Sequence, residues 1–183
     1  YLSPDRKNRE FMVMDADKNV FTNQFDTVIS FFCLQWVRNQ LGVLKGIKNA
    51  LVPGGKMVLT MPLVGEIEKI IGAIALGEKW GHYFTNFENP RMDFVPEAYA
   101  KLVEDAGLEK QILKEKILSY EFGSQRDAEF FWKACMPHMK KLPESRQDEF
   151  VSDVVTSSLQ ANSSENKLDF SLKILVVSAT KPS

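Results

Sequence analysis

Residues 25–62, FDTVISFFCLQWVRNQLGVLKGIKNALVPGGKMVLTMP, decide the fold. Phe25 to Phe32 is rich in β-branched and aromatic residues and has too few polar positions to expose a face, which predicts a central parallel strand covered on both sides. From Val37 to Leu51 the apolar positions Val37, Leu41, Leu44, Ile47 and Leu51 recur at spacings of three and four. That is the period of an amphipathic helix, which Pro53-Gly54-Gly55 stops. Lys56 to Met61 then predicts a second buried strand, closed by Pro62. Strand, helix, turn and strand in so short a stretch have the size of a βαβ unit, so a right-handed crossover and a parallel sheet follow.

On the N-terminal side, Glu10 to Met14 is a short apolar run ending on Asp15-Ala16-Asp17, as a buried strand would end at a loop. On the C-terminal side, Ile67, Ile70, Ile71, Ile74 and Ala75 continue a helical period to Gly77. The aromatic stretch KWGHYFTNF that follows has no clear period, so 63–95 reads as an insertion or lid. Pro96 opens a helix with Tyr99, Leu102, Val103 and Ala106 on one face, and Gly107 stands where a helix C-terminus wants a left-handed residue. Ile112 to Phe122 predicts a strand. Ser124 and Asp127 make a capping pair for a helix with Ala128, Phe131, Trp132, Cys135 and Met139 on one stripe. A further helix over Pro143 to Leu159, a polar loop (ANSSEN) and a strand from Leu168 to Thr180 complete the chain. That last strand is expected to pair antiparallel, in hairpin fashion, with Ile112 to Phe122.

The chain has 183 residues and 44% hydrophobic content, enough for one substantial core, and a single domain over 1–183 is expected. The 23 basic and 24 acidic residues give a net charge of -1, with no run of five like charges. Nothing in this pattern suits a phosphate backbone or an anionic membrane surface, so no nucleic-acid partner is expected. No apolar run approaches the ~18 residues of a membrane span. Cys33 and Cys135 sit in apolar surroundings and read as buried thiols of a reducing compartment, which predicts a cytoplasmic protein. The two histidines, His82 and His138, lie far apart with scattered acids and give no metal-ligand spacing. His138, beside Lys140 and Lys141, reads as a solvated helix C-terminal cap.

FDTVISFFCLQWV, the helix after it and LVPGGKMVLTMP together resemble the fourth strand, following helix and fifth strand of class I methyltransferases that use S-adenosyl-methionine. Asp26 stands where that family has an acidic residue opening the fourth strand, and Pro53-Gly54-Gly55 resembles the turn before the fifth. VPEAYAKLVEDAGLE resembles the helix and Ala-Gly corner before the sixth strand, and LKILVVSATKP the antiparallel seventh. The resemblance implies an α/β, Rossmann-like sheet, mostly parallel with an antiparallel last strand and helices on both faces, in the order 3-2-1-4-5-7-6. Within the superfamily, CLQWV and KWGHYF are most similar to enzymes that esterify small organic acids: the juvenile hormone acid, trans-aconitate and malonyl-carrier-protein carboxyl methyltransferases. Methyl transfer from S-adenosyl-methionine to a small molecule, at a carboxylate oxygen, is the implied activity.

Ligands of an open parallel sheet bind outside the carboxyl ends of the strands, so Asp15-Ala16, Phe31-Phe32 and Met61-Pro62 are candidates for one rim. The resemblance gives Asp15 and Ala16 the adenine contacts and sets Phe31 and Phe32 beside the sulfonium and methionine part of the cofactor. The alternatives are that Asp15 merely caps the next turn and that the two rings are core. Trp36 is the sharpest substrate candidate, because an indole can wall an apolar pocket and donate its N–H to a carboxylate oxygen; sealing the helix start is its other reading. Gln35 is a lesser candidate. Trp80, His82 and Tyr83 could line the pocket, or form a small core of their own. A carboxylate is already ionised at pH 7, so no catalytic base is required and none is assigned; a hydroxyl or amine acceptor would leave His82 as the only obvious base.

The resembled pattern also has a first strand ending in a glycine-rich turn and an acidic residue after the second strand. The ten glycines here contain no GxGxxG or GxGxG. A sheet without its central strands cannot close, so roughly 60 to 90 preceding residues are expected, an intact mass of 20.8 kDa would refute them, and this chain alone should not work. Two other readings stand beside this one. A complete, noncatalytic module that pairs its strand edge with a partner would not bind S-adenosyl-methionine. A nicotinamide-dependent enzyme shares the doubly wound sheet but lacks its fingerprint here. The oligomeric state is not readable.

Overall fold

The computed structural model describes residues 9–161 and 169–183. Four strands form one sheet: β1 (Phe25–Phe31), β2 (Leu51–Pro62), β3 (Glu109–Glu121) and β4 (Asp169–Thr180), in the spatial order β1-β2-β4-β3. β1 and β2 are parallel, with Val28 opposite Met57 and Phe31 opposite Thr60. β4 runs antiparallel to both neighbours, placing Leu59 opposite Val177 and Leu113 opposite Val177 on the far side. This is the 4-5-7-6 portion of the expected order. The β3–β4 pair forms as expected, although two helices separate its strands, so it is not a hairpin.

α1 (Gln40–Ala50) joins β1 to β2. Asn39 caps it, accepting the N–H of Gly42 at 3.0 Å. The helix is shorter than the apolar period suggested: Val37 stays in the loop and Leu51 already belongs to β2. Gly54 takes φ +76, which glycine adopts freely, and the turn is locked to the chain end because Gly54 N–H donates to Lys181 O and Lys181 N–H to Gly55 O. α3 (Pro96–Asp105) ends with Gly107 at φ +76, whose successor Leu108 donates back to Val103 O and is itself buried. One face of the sheet, Met57, Leu59, Met61, Leu175, Val177 and Ala179, packs on α1 and α3 through Val43, Leu44, Ile47, Tyr99 and Val103.

A second cluster lies beyond the strand ends. α2 (Glu66–Leu76) leaves the end of β2, while α4 (Gln125–Cys135) and α5 (Glu144–Ala161) fill the connection from the end of β3 to the start of β4. Since β4 is antiparallel, all three helices spring from one edge of the sheet and meet as a cap around Ile71, Trp80, Trp132, Phe150 and Val154. Ser124 caps α4 through Asp127 N–H at 3.2 Å, as its spacing predicts.

Four expectations are corrected. Residues 10–14 form no strand; Phe11, Met12 and Val13 are exposed because no neighbouring strand stands beside them among the described residues. Among the described residues β1 is an edge strand rather than a covered central one, with Ile29 61% and Phe31 54% exposed. Cys33 and Cys135 are exposed, not buried: the turn after β1 directs Leu34 and Gln35 inward instead of Cys33. His138 is buried, not a solvated cap. The loop ANSSEN and Leu168 lie outside the described residues.

Candidate active site at the carboxyl rim

The parallel pairing of β1 and β2 brings Phe31-Phe32 and Met61-Pro62 to the same edge. Phe32 departs from the strand at φ 52, a left-handed conformation uncommon for a non-glycine residue and a marker of functional positions. It is held there by two bonds: its N–H donates to Thr60 O at 3.0 Å, and its carbonyl accepts Nε2 of Gln35 at 2.9 Å. A single 3-10 turn, Leu34–Trp36, follows. The turn buries Leu34 and Gln35 and leaves Trp36 44% exposed at the end of β1, where Phe31 and Phe32 are exposed too. Among the described residues the Trp36 indole N–H has no hydrogen-bond partner.

The second part of the rim is the 3-10 turn Ala16–Lys18. Asp15 stands at its N-cap, yet its carboxylate makes no capping bond, and among the described residues its one ion-pair partner is an exposed Lys18 at 3.9 Å. Ala16 packs partly buried against the first core. Asp17 Oδ2 accepts from Asn39 Nδ2 at 3.4 Å, tying this turn to the start of α1. Gly46 allows the close approach, for a Cβ there would lie 3.1 Å from Asn19 Nδ2.

Gln35, Trp36, Phe31 and Phe32 thus share one place, and Asp15–Asp17 are joined to it through Asn39. Trp80 and Tyr83 are placed otherwise. Trp80 is 1% exposed in the cap, its indole N–H committed to Asp153 Oδ2 at 2.8 Å, and Tyr83 packs against the same cluster. His82 is exposed, with its ring 4.0 Å from that of Tyr83. None of the three has a ring contact or hydrogen bond to the rim residues among those described. Two shallow clefts, one along Phe87, Pro137 and Lys141 and one along Trp80, Asp153 and Ser157, do not include Trp36 or Phe32. No helix among the described residues is long and apolar enough to cross a membrane.

Two features escaped the sequence. Arg91 is nearly buried and bonded to Glu68 Oε1 at 2.7 Å and to Leu63 O at 3.0 Å. His138 is enclosed by the rings of Phe84, Phe87 and Phe150, and this burial holds its pKa down at about 4. Neither position follows any local period; a lone arginine in an aperiodic stretch of apolar and polar residues was the available signal.

A family model described as a methyltransferase domain matches residues 3–112, which is most of β1, α1, β2, α2 and α3 together with the Asp15 turn. The chain belongs to the methyltransferase domain family. This methyltransferase domain is 26% identical over 172 residues to juvenile hormone acid O-methyltransferase of Drosophila melanogaster, covering 87% of the chain and 58% of that protein. It is 24% identical over 157 residues to a protein of Invertebrate iridescent virus 6 that carries a methyltransferase name, covering 85% and 59%. The chain therefore spans under two thirds of the curated relatives it matches. Among solved structures, a methyltransferase-titled protein of Bacillus halodurans superposes with TM-score 0.57 at 15% identity over 93% of this chain and 70% of that one. An S-adenosyl-methionine-dependent methyltransferase of Methanosarcina mazei gives 0.53 at 15% identity over 98% and 73%. The fold is the class I, Rossmann-like one. The same fold also carries the [4+2]-cyclase SpnF, at TM-score 0.51 and 16% identity over 94% of this chain and 56% of that one, so fold alone does not settle the reaction.

Proposed function

We propose that the protein to which this chain belongs transfers a methyl group from S-adenosyl-methionine to a carboxylate oxygen of a small apolar acid, forming a methyl ester. The observation that carries this reading is Trp36, half-exposed just after β1 with its indole N–H unengaged among the described residues, on the same short turn that follows exposed Phe31 and Phe32. The relative that methylates juvenile hormone acid supports the choice of acceptor.

The residues present fit the cofactor where they can be compared with it. Asp15 offers an uncapped carboxylate to an adenine amine, and Phe31 and Phe32 offer aromatic faces to a sulfonium. The glycine-rich turn that would hold the cofactor's other end is not among the described residues. When bound, S-adenosyl-methionine supplies an electrophilic methyl carbon on a positively charged sulfur. The protein's part is placement. Trp36 N–H would donate to one carboxylate oxygen and leave the other free to attack, and the apolar rim would exclude water from it. No proton moves, because the acceptor is already ionised at neutral pH. An unbound, small-molecule substrate and a cytoplasmic setting complete the proposal.

Isothermal titration of the complete protein with S-adenosyl-homocysteine, followed by a panel of free acids and their methyl esters, tests it. Saturable binding and methylation of acids but not of esters is expected. No binding would return the protein to the reading of a noncatalytic module.

A further inference from the structure

Residues 63–95 leave the rim after β2 and return before α3, and one side chain closes the base of this excursion. Arg91, near its end, donates from Nη1 to Oε1 of Glu68 and from Nη2 to the carbonyl of Leu63, both near its beginning. Glu68 in turn accepts the N–H of Gly65 through Oε2 at 2.8 Å, so the same carboxylate starts α2. The Arg91 and Glu68 side chains are only 12% and 17% exposed, which makes this the most sheltered ion pair among the described residues. A planar guanidinium is suited to this double grip in a way an ammonium is not. The next residue makes the connection to the rim: Met92 N–H donates to Gln35 O at 2.7 Å. Gln35 then holds Phe32 through Nε2 and immediately precedes Trp36.

We propose that Arg91 is a positioning residue for the acceptor site, acting through Met92 and Gln35 to set the turn that carries Phe32 and Trp36. Gln35 on this view acts by holding the turn: its Nε2 donates to Phe32 O, its backbone carbonyl accepts from Met92 N–H, and it is 4% exposed, with Oε1 buried and without a partner among the described residues. The path runs along the backbone from Arg91 to Met92, through the hydrogen bond to Gln35 O, and on to Trp36 by the next peptide, so a change at Arg91 reaches Trp36 without any contact to the acceptor. Its consequence for methyl transfer rests on the function proposed above; its consequence for the turn does not.

The test uses the complete protein carrying Arg91→Met, Arg91→Lys or Glu68→Gln. Of the three tryptophans in this chain, Trp80 and Trp132 are buried and Trp36 is half-exposed, so acrylamide quenching reports on Trp36, and a Trp36→Phe protein identifies its component. In Arg91→Met the Trp36 component should become more quenchable while the buried components stay unchanged. Arg91→Lys, which keeps the charge but not the fork, and Glu68→Gln should fall between. In the kinetic arm, kcat/KM for the acceptor should drop on the order of 10- to 100-fold, the scale of a small misplacement of a reacting group, and by more than the affinity for S-adenosyl-homocysteine, which Asp15 also holds. An unaltered Trp36 component in Arg91→Met, or equal loosening of all three tryptophans, overturns the inference. A shifted Trp36 component in a protein that methylates no acid supports the positioning role and refutes the proposed function alone.

Discussion

The indole N–H of Trp80 donates to Oδ2 of Asp153 at 2.8 Å, and the same oxygen takes Nζ of Lys79 at 2.6 Å. This carboxylate raises the Lys79 pKa, with Glu149 adding to it. Lys79 and Arg146 lie 5.0 and 4.9 Å from the centre of the indole, and Phe150 meets it edge-on. Trp80 is thus where α2 is fastened to α5. Asp153→Ala strands a buried indole N–H and should cost about 1–3 kcal/mol, while Trp80→Ala opens a cavity and should cost about 3–5 kcal/mol. Urea unfolding of both, with the double variant, should return a coupling of about 0.5–3 kcal/mol. Strict additivity would show that the bond contributes nothing.

His138 makes the cap acid-sensitive. Its neutral ring is stacked with Phe150 and has Phe84 and Phe87 around it, and Nδ1 is buried without a partner among the described residues, so protonation is disfavoured in the fold. The folded pKa of about 4 lies below the ordinary 6.5, so the unfolded chain takes up the proton first. Stability from this group is therefore intact above pH 6.5, falls as pH drops through the interval down to about 4, and then levels. The full loss is about 3 kcal/mol. His138→Phe should remove this part of the pH dependence in thermal unfolding at pH 4 to 7; an unchanged slope would place the acid sensitivity elsewhere.

Gly107 is required by its backbone rather than its surroundings. At φ +76 a side chain is strained, and a Cβ would stand 2.5 Å from Lys48 Nζ, the movable end of a flexible chain. Gly107→Ala should therefore cost about 1–2 kcal/mol from conformation alone, and Gly107→Asn less, since asparagine tolerates the left-handed region. Equal stability of the alanine and asparagine proteins would contradict this.

The elements that were legible in the sequence are those whose signals are local. Ser124 and Asp127 mark a cap by spacing alone, Gly107 marks a helix end, and the apolar beat of Leu41, Leu44 and Ile47 marks α1. What failed depended on neighbours distant in sequence. Phe11 to Met14 are apolar, but an apolar run becomes a strand only beside another strand, and none stands there among the described residues. His138 was read from adjacent Lys140 and Lys141, whereas its burial comes from Phe84 and Phe150. Phe31, which ends β1, and Phe32 and Trp36, which come just after it, could be placed at the carboxyl edge from the sequence because the strand itself is legible there. The grip of Arg91 on Glu68 and Leu63 could not, because it closes a loop whose geometry no period encodes.

Trp36 offers the most direct separation of binding from folding. Trp36 is 44% exposed and phenylalanine keeps an aromatic ring in the same place, so Trp36→Phe should change stability by less than about 1 kcal/mol. The indole N–H is a different matter. A donor to a carboxylate in a water-poor site contributes about 1.5–3 kcal/mol, so Trp36→Phe should lower kcat/KM for the acid by roughly 10- to 150-fold. Phenylalanine keeps the apolar wall and loses only the donor, whereas Trp36→Ala loses both and should fall further. Cofactor binding should be untouched in either, since Asp15 and the Phe31-Phe32 edge remain. If Trp36→Phe methylates acids as well as the natural protein while Trp36→Ala does not, the ring acts as a wall alone and the carboxylate is held by another donor.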